Sequence, residues 1–153
     1  MKMQIHLREA CEADLAELGE LKFCSSVAWG DFVAELQNLP EARHVSPELL
    51  PHITVAELDG SIAGFVTVFP GDDPAQAELE DLFVAPSFWR KGVGAQLLRA
   101  AEARAAALGA ARMHVIANER ARLFYEAAGY RPIGLVQTDF GSAPELCKSL
   151  GPI

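Results

Sequence analysis

The chain lacks an uninterrupted apolar run long enough to cross a membrane. Its longest, Ile62 to Phe69, is broken by Gly64 and Thr67, whereas a spanning helix needs about 20 apolar residues. Cysteine is scarce: Cys11, Cys24 and Cys147 are odd in number and far apart, so neither a disulfide framework nor a metal site is expected. Positive charge is also in short supply. Lys and Arg number 13 against 21 Asp and Glu, a net charge of −8. Nucleic acid and anionic membranes, which select basic patches, are therefore not expected partners. The start, Met1 to Glu9, has no apolar stretch of signal-peptide length, and the expectation is a cytoplasmic protein with reduced thiols. What is present fits one globular domain over residues 1–153: half of the chain is hydrophobic and 22% is charged, which excludes a disordered chain.

Periodicity gives the element order. Gln4 to Arg8 alternates as a short strand, and Cys11–Val27 and Asp31–Leu39 have helical spacing, the second ended by Pro40. Ser46-Pro47 predicts a short helical turn. Two β-rich runs, 53–58 and 61–69, flank Asp59-Gly60, a strong hairpin signal. A strand over 77–84 precedes Pro86, a helix over 92–108 ends at Gly109, and a strand (112–117), a helix (119–128) and a strand (131–138) follow. The segment 141–153 is ambiguous, with a final strand favoured around Leu146. This order predicts an α+β chain with a mixed sheet rather than a doubly wound fold.

Between a predicted strand and a long predicted helix lies Phe88-Trp89-Arg90-Lys91-Gly92-Val93-Gly94-Ala95. Glycines let backbone approach a ligand, a helix start presents unpaired N–H groups, and Arg90 and Lys91 add charge, a combination suited to a pyrophosphate. Leu97 stands where a Rossmann fingerprint has its third glycine, and Lys91-Gly92-Val93 is not a Walker sequence. The alternative for this stretch alone is a tight turn before an amphipathic helix.

A second signal exists. Leu82-Phe83-Val84-Ala85-Pro86 with Arg90 to Ala95 resembles the acetyl-CoA signature of the GCN5-related N-acetyltransferases (GNAT), except that Trp89 stands where Gln or Arg is usual. Asn118 to Tyr130 resembles the same family's late motif, Asn-x-x-Ala-x-x-Phe-Tyr-x-x-x-Gly-Phe/Tyr, and Leu7 to Leu15 is similar to its opening. The resemblance covers roughly residues 5–138. It implies a mostly antiparallel central sheet with flanking helices, splayed between the fourth and fifth strands. It also implies direct acetyl transfer from acetyl-CoA to a primary amine of a small molecule or peptide.

Three tasks then need residues. Backbone groups of Phe83 and Val84 would hold the pantetheine arm, and the amides of Arg90, Lys91, Gly92, Val93, Gly94 and Ala95 would take the pyrophosphate. Asn118 would bond the arm or cap a helix, or do both. Tyr125 is the candidate acid for the departing thiolate, since a phenol is protonated at neutral pH; its alternative is core packing. Glu78 and Glu80 share a strand face opposite Asp81 and are candidate bases, with a solvated face as the alternative. His44, His52 and His114 are further candidates, His114 at mid-strand reading rather as structural, as does His6. Trp29, Phe32 and Phe140 are candidate acceptor-site residues.

Charge is unevenly divided: residues 1–81 carry 4 basic and 16 acidic groups, and residues 82–153 carry 9 basic and 5 acidic. An anionic cofactor suits the second half and a cationic amine the first. Two competing readings remain: an acetyl-CoA-binding module of the same fold without turnover, and an interaction domain that uses its acidic half and binds no cofactor. A homodimer is left open.

Overall fold

The computed structural model describes residues 4–151. Among the described residues are seven strands: β1 (Ile5–Glu9), β2 (Ile53–Leu58), β3 (Ser61–Pro70), β4 (Gln76–Val84), β5 (Arg112–Ile116), β6 (Arg131–Thr138) and β7 (Gly141–Ser149). Four α-helices accompany them: α1 (Leu15–Val27), α2 (Val33–Gln37), α3 (Val93–Ala107) and α4 (Arg122–Ala127). The strands follow the order β1-β2-β3-β4-β5-β7-β6. Every described pairing is antiparallel except β4 with β5, so the α+β, mostly antiparallel expectation holds. The parallel register runs from Gln76–Arg112 to Leu79–Val115, while β4 itself continues to Val84.

Local chemistry explains where elements start and stop. Asp59 and Gly60 adopt φ 53° and 80°, the left-handed pair that a two-residue β2–β3 hairpin requires. The helix expected from Cys11 begins instead with a 3₁₀ turn, Glu12–Asp14, and becomes α-helical at Leu15. Asp14 accepts from the Cys11 amide at 2.8 Å and pairs through both oxygens with Arg8 of β1 at 2.8 and 3.0 Å. This pairing with the Arg8 guanidinium holds its carboxyl well below the usual carboxylate range. The helix expected over 31–39 shrinks to α2 because Phe32 is left-handed, φ 56°. The turn after Ser46 is a 3₁₀ segment, Pro47–His52, with Pro51 inside it. The region expected as one helix from Glu119 divides into a 3₁₀ turn, Glu119–Ala121, and α4. Within the ambiguous last stretch, Gly141–Ser149 forms β7, centred near Leu146 as favoured, and residues 152–153 lie outside the described residues.

The chain folds as two compact units. The first comprises residues 1–67 and 81–100, the second 68–80 and 101–153. In the first, Leu18 and Leu21 of α1 join Val45, Ile53, Val55 and Phe65 in a buried cluster, with Phe83 packed against it. Gly64 is required here. A Cβ at this position would lie 2.6 Å from the Phe83 carbonyl oxygen and 3.1 Å from Leu97, so the missing side chain lets β3, β4 and α3 approach closely. In the second unit, Ala101 and Ala105 of α3, Met113, Val115, Leu146, Tyr125 and Tyr130 are buried. Tyr130 donates to Glu102 at 2.9 Å and Lys148 pairs with the same carboxylate at 3.1 Å. Burial chiefly, and then Glu102, push the Tyr130 phenol far above its ordinary range.

Candidate functional site

In the first unit, β4 ends in a 3₁₀ turn, Pro86–Phe88, which delivers the chain to Trp89 and the loop before α3. Arg90 and Gly92 are left-handed, with φ 64° and 83°. The loop thereby turns twice within three residues, and α3 closes its first turn with the Gln96 amide on the Gly92 carbonyl at 3.1 Å. Val93 is buried and anchors the helix start, while Arg90, Lys91 and Gly92 are exposed. A Cβ at Gly92 would meet nothing within 4 Å, so the backbone there is open to an approaching group. First-turn amides, the positive end of a 15-residue helix and two exposed cations make a donor set for a phosphorylated anion. The residues present therefore fit a pyrophosphate. Phe83 and Val84 are half-buried at the end of β4. The Val84 carbonyl accepts the indole N–H of Trp89 at 2.7 Å, and the Trp89 ring stacks on Trp29 at 4.7 Å. Trp29 and Phe32 are both exposed, at 40% and 49%.

Asp81 is a residue that sequence reasoning placed on the other face and gave no role. Strand alternation puts it with Ala77 and Leu79, both buried. Burial raises its carboxyl above the ordinary range, and Lys22 of α1 and Thr67 of β3 only partly oppose that. Thr67 is fully buried. The signal available in sequence was an acid on the core-facing register of a strand.

In the second unit, Glu78 is half-buried and Glu80 exposed. Glu78 is tightly held. One oxygen accepts from the Gln76 amide at 2.9 Å and the other meets His114 Nδ1 at 2.5 Å. His114 Nε2 lies 3.6 Å from Glu145, and Gln76 in turn accepts from Arg112, which pairs with Asp73. His114, read as structural, thus sits between two carboxylates on neighbouring strands. Asn118 is exposed, and its side-chain oxygen accepts from the Ala121 amide at 2.8 Å, which is the helix-cap role. Tyr125 is buried, with edge-to-face contacts to Phe124 at 5.2 Å and Tyr130 at 5.4 Å. Phe140 lies at the β6–β7 turn, where its amide donates to Thr138. His44 follows the 3₁₀ turn Pro40–Arg43, and His52 is the last residue of the 3₁₀ segment before β2.

Comparison with known proteins bears on these residues together. The model of the acetyltransferase (GNAT) family matches residues 20–130. An amino-acid acetyltransferase of Azotobacter vinelandii is 33% identical over 94 residues, covering 61% of this chain and 22% of that protein. An uncharacterized N-acetyltransferase of Mycobacterium tuberculosis is 34% identical over 99 residues, 61% of this chain and 63% of that one. The chain therefore spans about a fifth of the first relative and under two thirds of the second. Among solved structures, the PaiA N-acetyltransferase of Thermoplasma acidophilum in complex with coenzyme A has a TM-score of 0.76 at 21% identity, over 96% of this chain and 99% of that one. At that identity the likeness is one of fold.

Proposed function

The chain belongs to the GNAT family of acetyltransferases, and from that premise we propose that it is an acetyl-CoA-dependent N-acetyltransferase acting on a primary amine of a small molecule or peptide. The observation that carries this reading is the loop before α3, where left-handed Arg90 and Gly92 open the backbone beside two exposed cations. The family pattern and the solved relative that holds coenzyme A support it.

When bound, acetyl-CoA supplies an activated acyl carbon and a thiolate leaving group. The chain's own residues bind, orient and move protons. Amides from Arg90 to Ala95 would hold the pyrophosphate, and the backbone of Phe83 and Val84 would hold the pantetheine arm. The Asn118 amide nitrogen is a further donor to that arm, its oxygen being used on Ala121. Tyr125 would serve as proton donor to the leaving sulfur, its phenol being protonated at neutral pH. Glu80 takes the proton of the incoming amine. Glu78, whose oxygens accept from Gln76 and meet His114, is the second candidate. Trp29, Phe32 and Phe140 border the acceptor. The 16 acidic groups among residues 1–81 favour a cationic acceptor by steering.

The test is release of free thiol from acetyl-CoA across a panel of amines: polyamines, aminoglycosides, peptide amines and, in view of the Azotobacter relative's name, amino acids. Turnover fastest with cationic amines, and slowed by salt, supports the reading. A preference for anionic or neutral amines at low salt would remove the steering argument. Coenzyme A binding in calorimetry without turnover on any amine would favour the binding-module reading, which the unusual Trp89 contact on Val84 supports.

A further inference from the structure

The sequence has only two tryptophans, and the fold stacks them on each other, with ring centroids 4.7 Å apart and planes 27° from parallel. Each lies beside a left-handed break in the backbone. Trp29 precedes Gly30 (φ 83°) and Phe32 (φ 56°) in the segment joining α1 to α2. Trp89 precedes Arg90 (φ 64°) and Gly92 (φ 83°) in the loop before α3. Trp89 is held twice over: its face by Trp29, and its indole N–H by the Val84 carbonyl at 2.7 Å. A non-glycine residue in the left-handed region is strained. Arg90 therefore needs a neighbour whose position is fixed.

We propose that Trp89 is a positioning residue that sets the shape of the phosphate loop, and that its stack on Trp29 couples the occupancy of that loop to the segment between α1 and α2. The proposal rests on the reading that the loop holds coenzyme A. It gives the departure at Trp89 a purpose. Where the family uses a polar side chain, this chain uses an indole that anchors to its own strand end and reaches a second segment. Two consequences follow. Trp29, which is not part of the loop, tunes affinity for coenzyme A. Binding at the loop also changes the environment of both indoles, and the protein's tryptophan emission arises from this pair alone.

The experiment titrates coenzyme A into the wild-type chain, Trp29→Ala, Trp29→Phe and Trp89→Phe, by calorimetry and by tryptophan emission. Trp29 is 40% exposed, so its truncation is tolerated, and a thermal melt of each variant verifies folding. The expected result is a shift of wild-type emission on binding. Trp29→Ala weakens binding about three- to tenfold, the worth of one aromatic stack. Trp29→Phe restores affinity to within about twofold of wild type and leaves Trp89 as sole reporter, still responsive to the ligand. Trp89→Phe, which keeps a ring and loses the N–H, also weakens binding. Rescue by Phe distinguishes coupling through the ring from a general loss of fold. If the wild type binds coenzyme A and Trp29→Ala binds it equally well, or emission is unmoved by saturating ligand, the coupling is overturned and the cofactor reading stands. If the wild type binds no coenzyme A, both are overturned.

Discussion

Replacing Tyr125 by Phe separates chemistry from packing. The side chain is buried at 5% exposure, and its ring meets Phe124 and Tyr130 edge to face. Phenylalanine preserves both ring contacts and nearly all of the buried area, so the fold loses only what the hydroxyl contributes. That is on the order of 1 kcal/mol for a neutral buried hydroxyl. For a chain of this size it lowers Tm by about 2–4 °C, and at 25 °C the population remains folded. A proton donor to the leaving group is worth far more, about 10²- to 10⁴-fold in rate, or roughly 3–5 kcal/mol in the barrier. The expected signature is therefore kcat down at least about 100-fold, coenzyme A affinity unchanged in calorimetry, and a small drop in Tm. The assay is initial-rate thiol release from acetyl-CoA with the best amine of the panel at saturation. A kcat within about threefold of wild type, with Tm lowered as stated, would refute the reasoning. It would leave Tyr125 as a core aromatic.

Three further substitutions test the frame of the site. Asp14→Asn removes the charge that binds Arg8 through two hydrogen bonds, and an expected cost of about 1.5–3 kcal/mol is read from urea melts at neutral pH. Because the folded carboxyl titrates below its unfolded value, that contribution is fully present above about pH 4 and is lost as pH falls towards the folded pKa. A gap between variant and wild type that closes between pH 8 and 5 contradicts this origin. Gly64→Ala sets a methyl 2.6 Å from the Phe83 carbonyl oxygen; the expected loss is about 1–3 kcal/mol, seen as a lower thermal midpoint. Asp81→Asn has the opposite sign. Its folded carboxyl titrates above the unfolded value because burial disfavours the charge, so wild-type stability rises as pH falls through that range and the Asn variant is the more stable at pH 7. A lower midpoint for Asp81→Asn at pH 7 would show that Lys22 outweighs desolvation.

What could be read from the sequence was what neighbouring residues decide. Asp59-Gly60 specifies its hairpin because two adjacent left-handed residues are needed there, and Gly109 and Gly129 end their helices at φ 90° and 100° for the same reason. The glycine loop before α3 is legible on the same grounds, and its partner motif around Tyr125 made the pair recognisable. The left-handed Phe32 and Arg90 were not legible, since nothing in either residue type announces positive φ; each is held by its surroundings. β7 was obscured by Pro144, which donates no amide hydrogen. It forms a strand between β5 and β6, where the Pro144 carbonyl still accepts from Ala117.

Partnerships between side chains distant in sequence were hidden altogether. Strand alternation correctly put Glu78 and Glu80 on one face, and it treated them as equals. What holds Glu78 is His114, 36 residues away, which parallel pairing of β4 and β5 sets opposite Glu78 in register. A carboxylate held in this way fixes the orientation of the imidazole it meets. The same holds for Trp89. As a letter in a motif it is a missing Gln or Arg; beside Trp29 and the Val84 carbonyl it is an anchored ring. The chemistry of this site is thus divided between backbone geometry, which short-range sequence encodes, and the choice among like side chains, which only the packed sheet and helices decide.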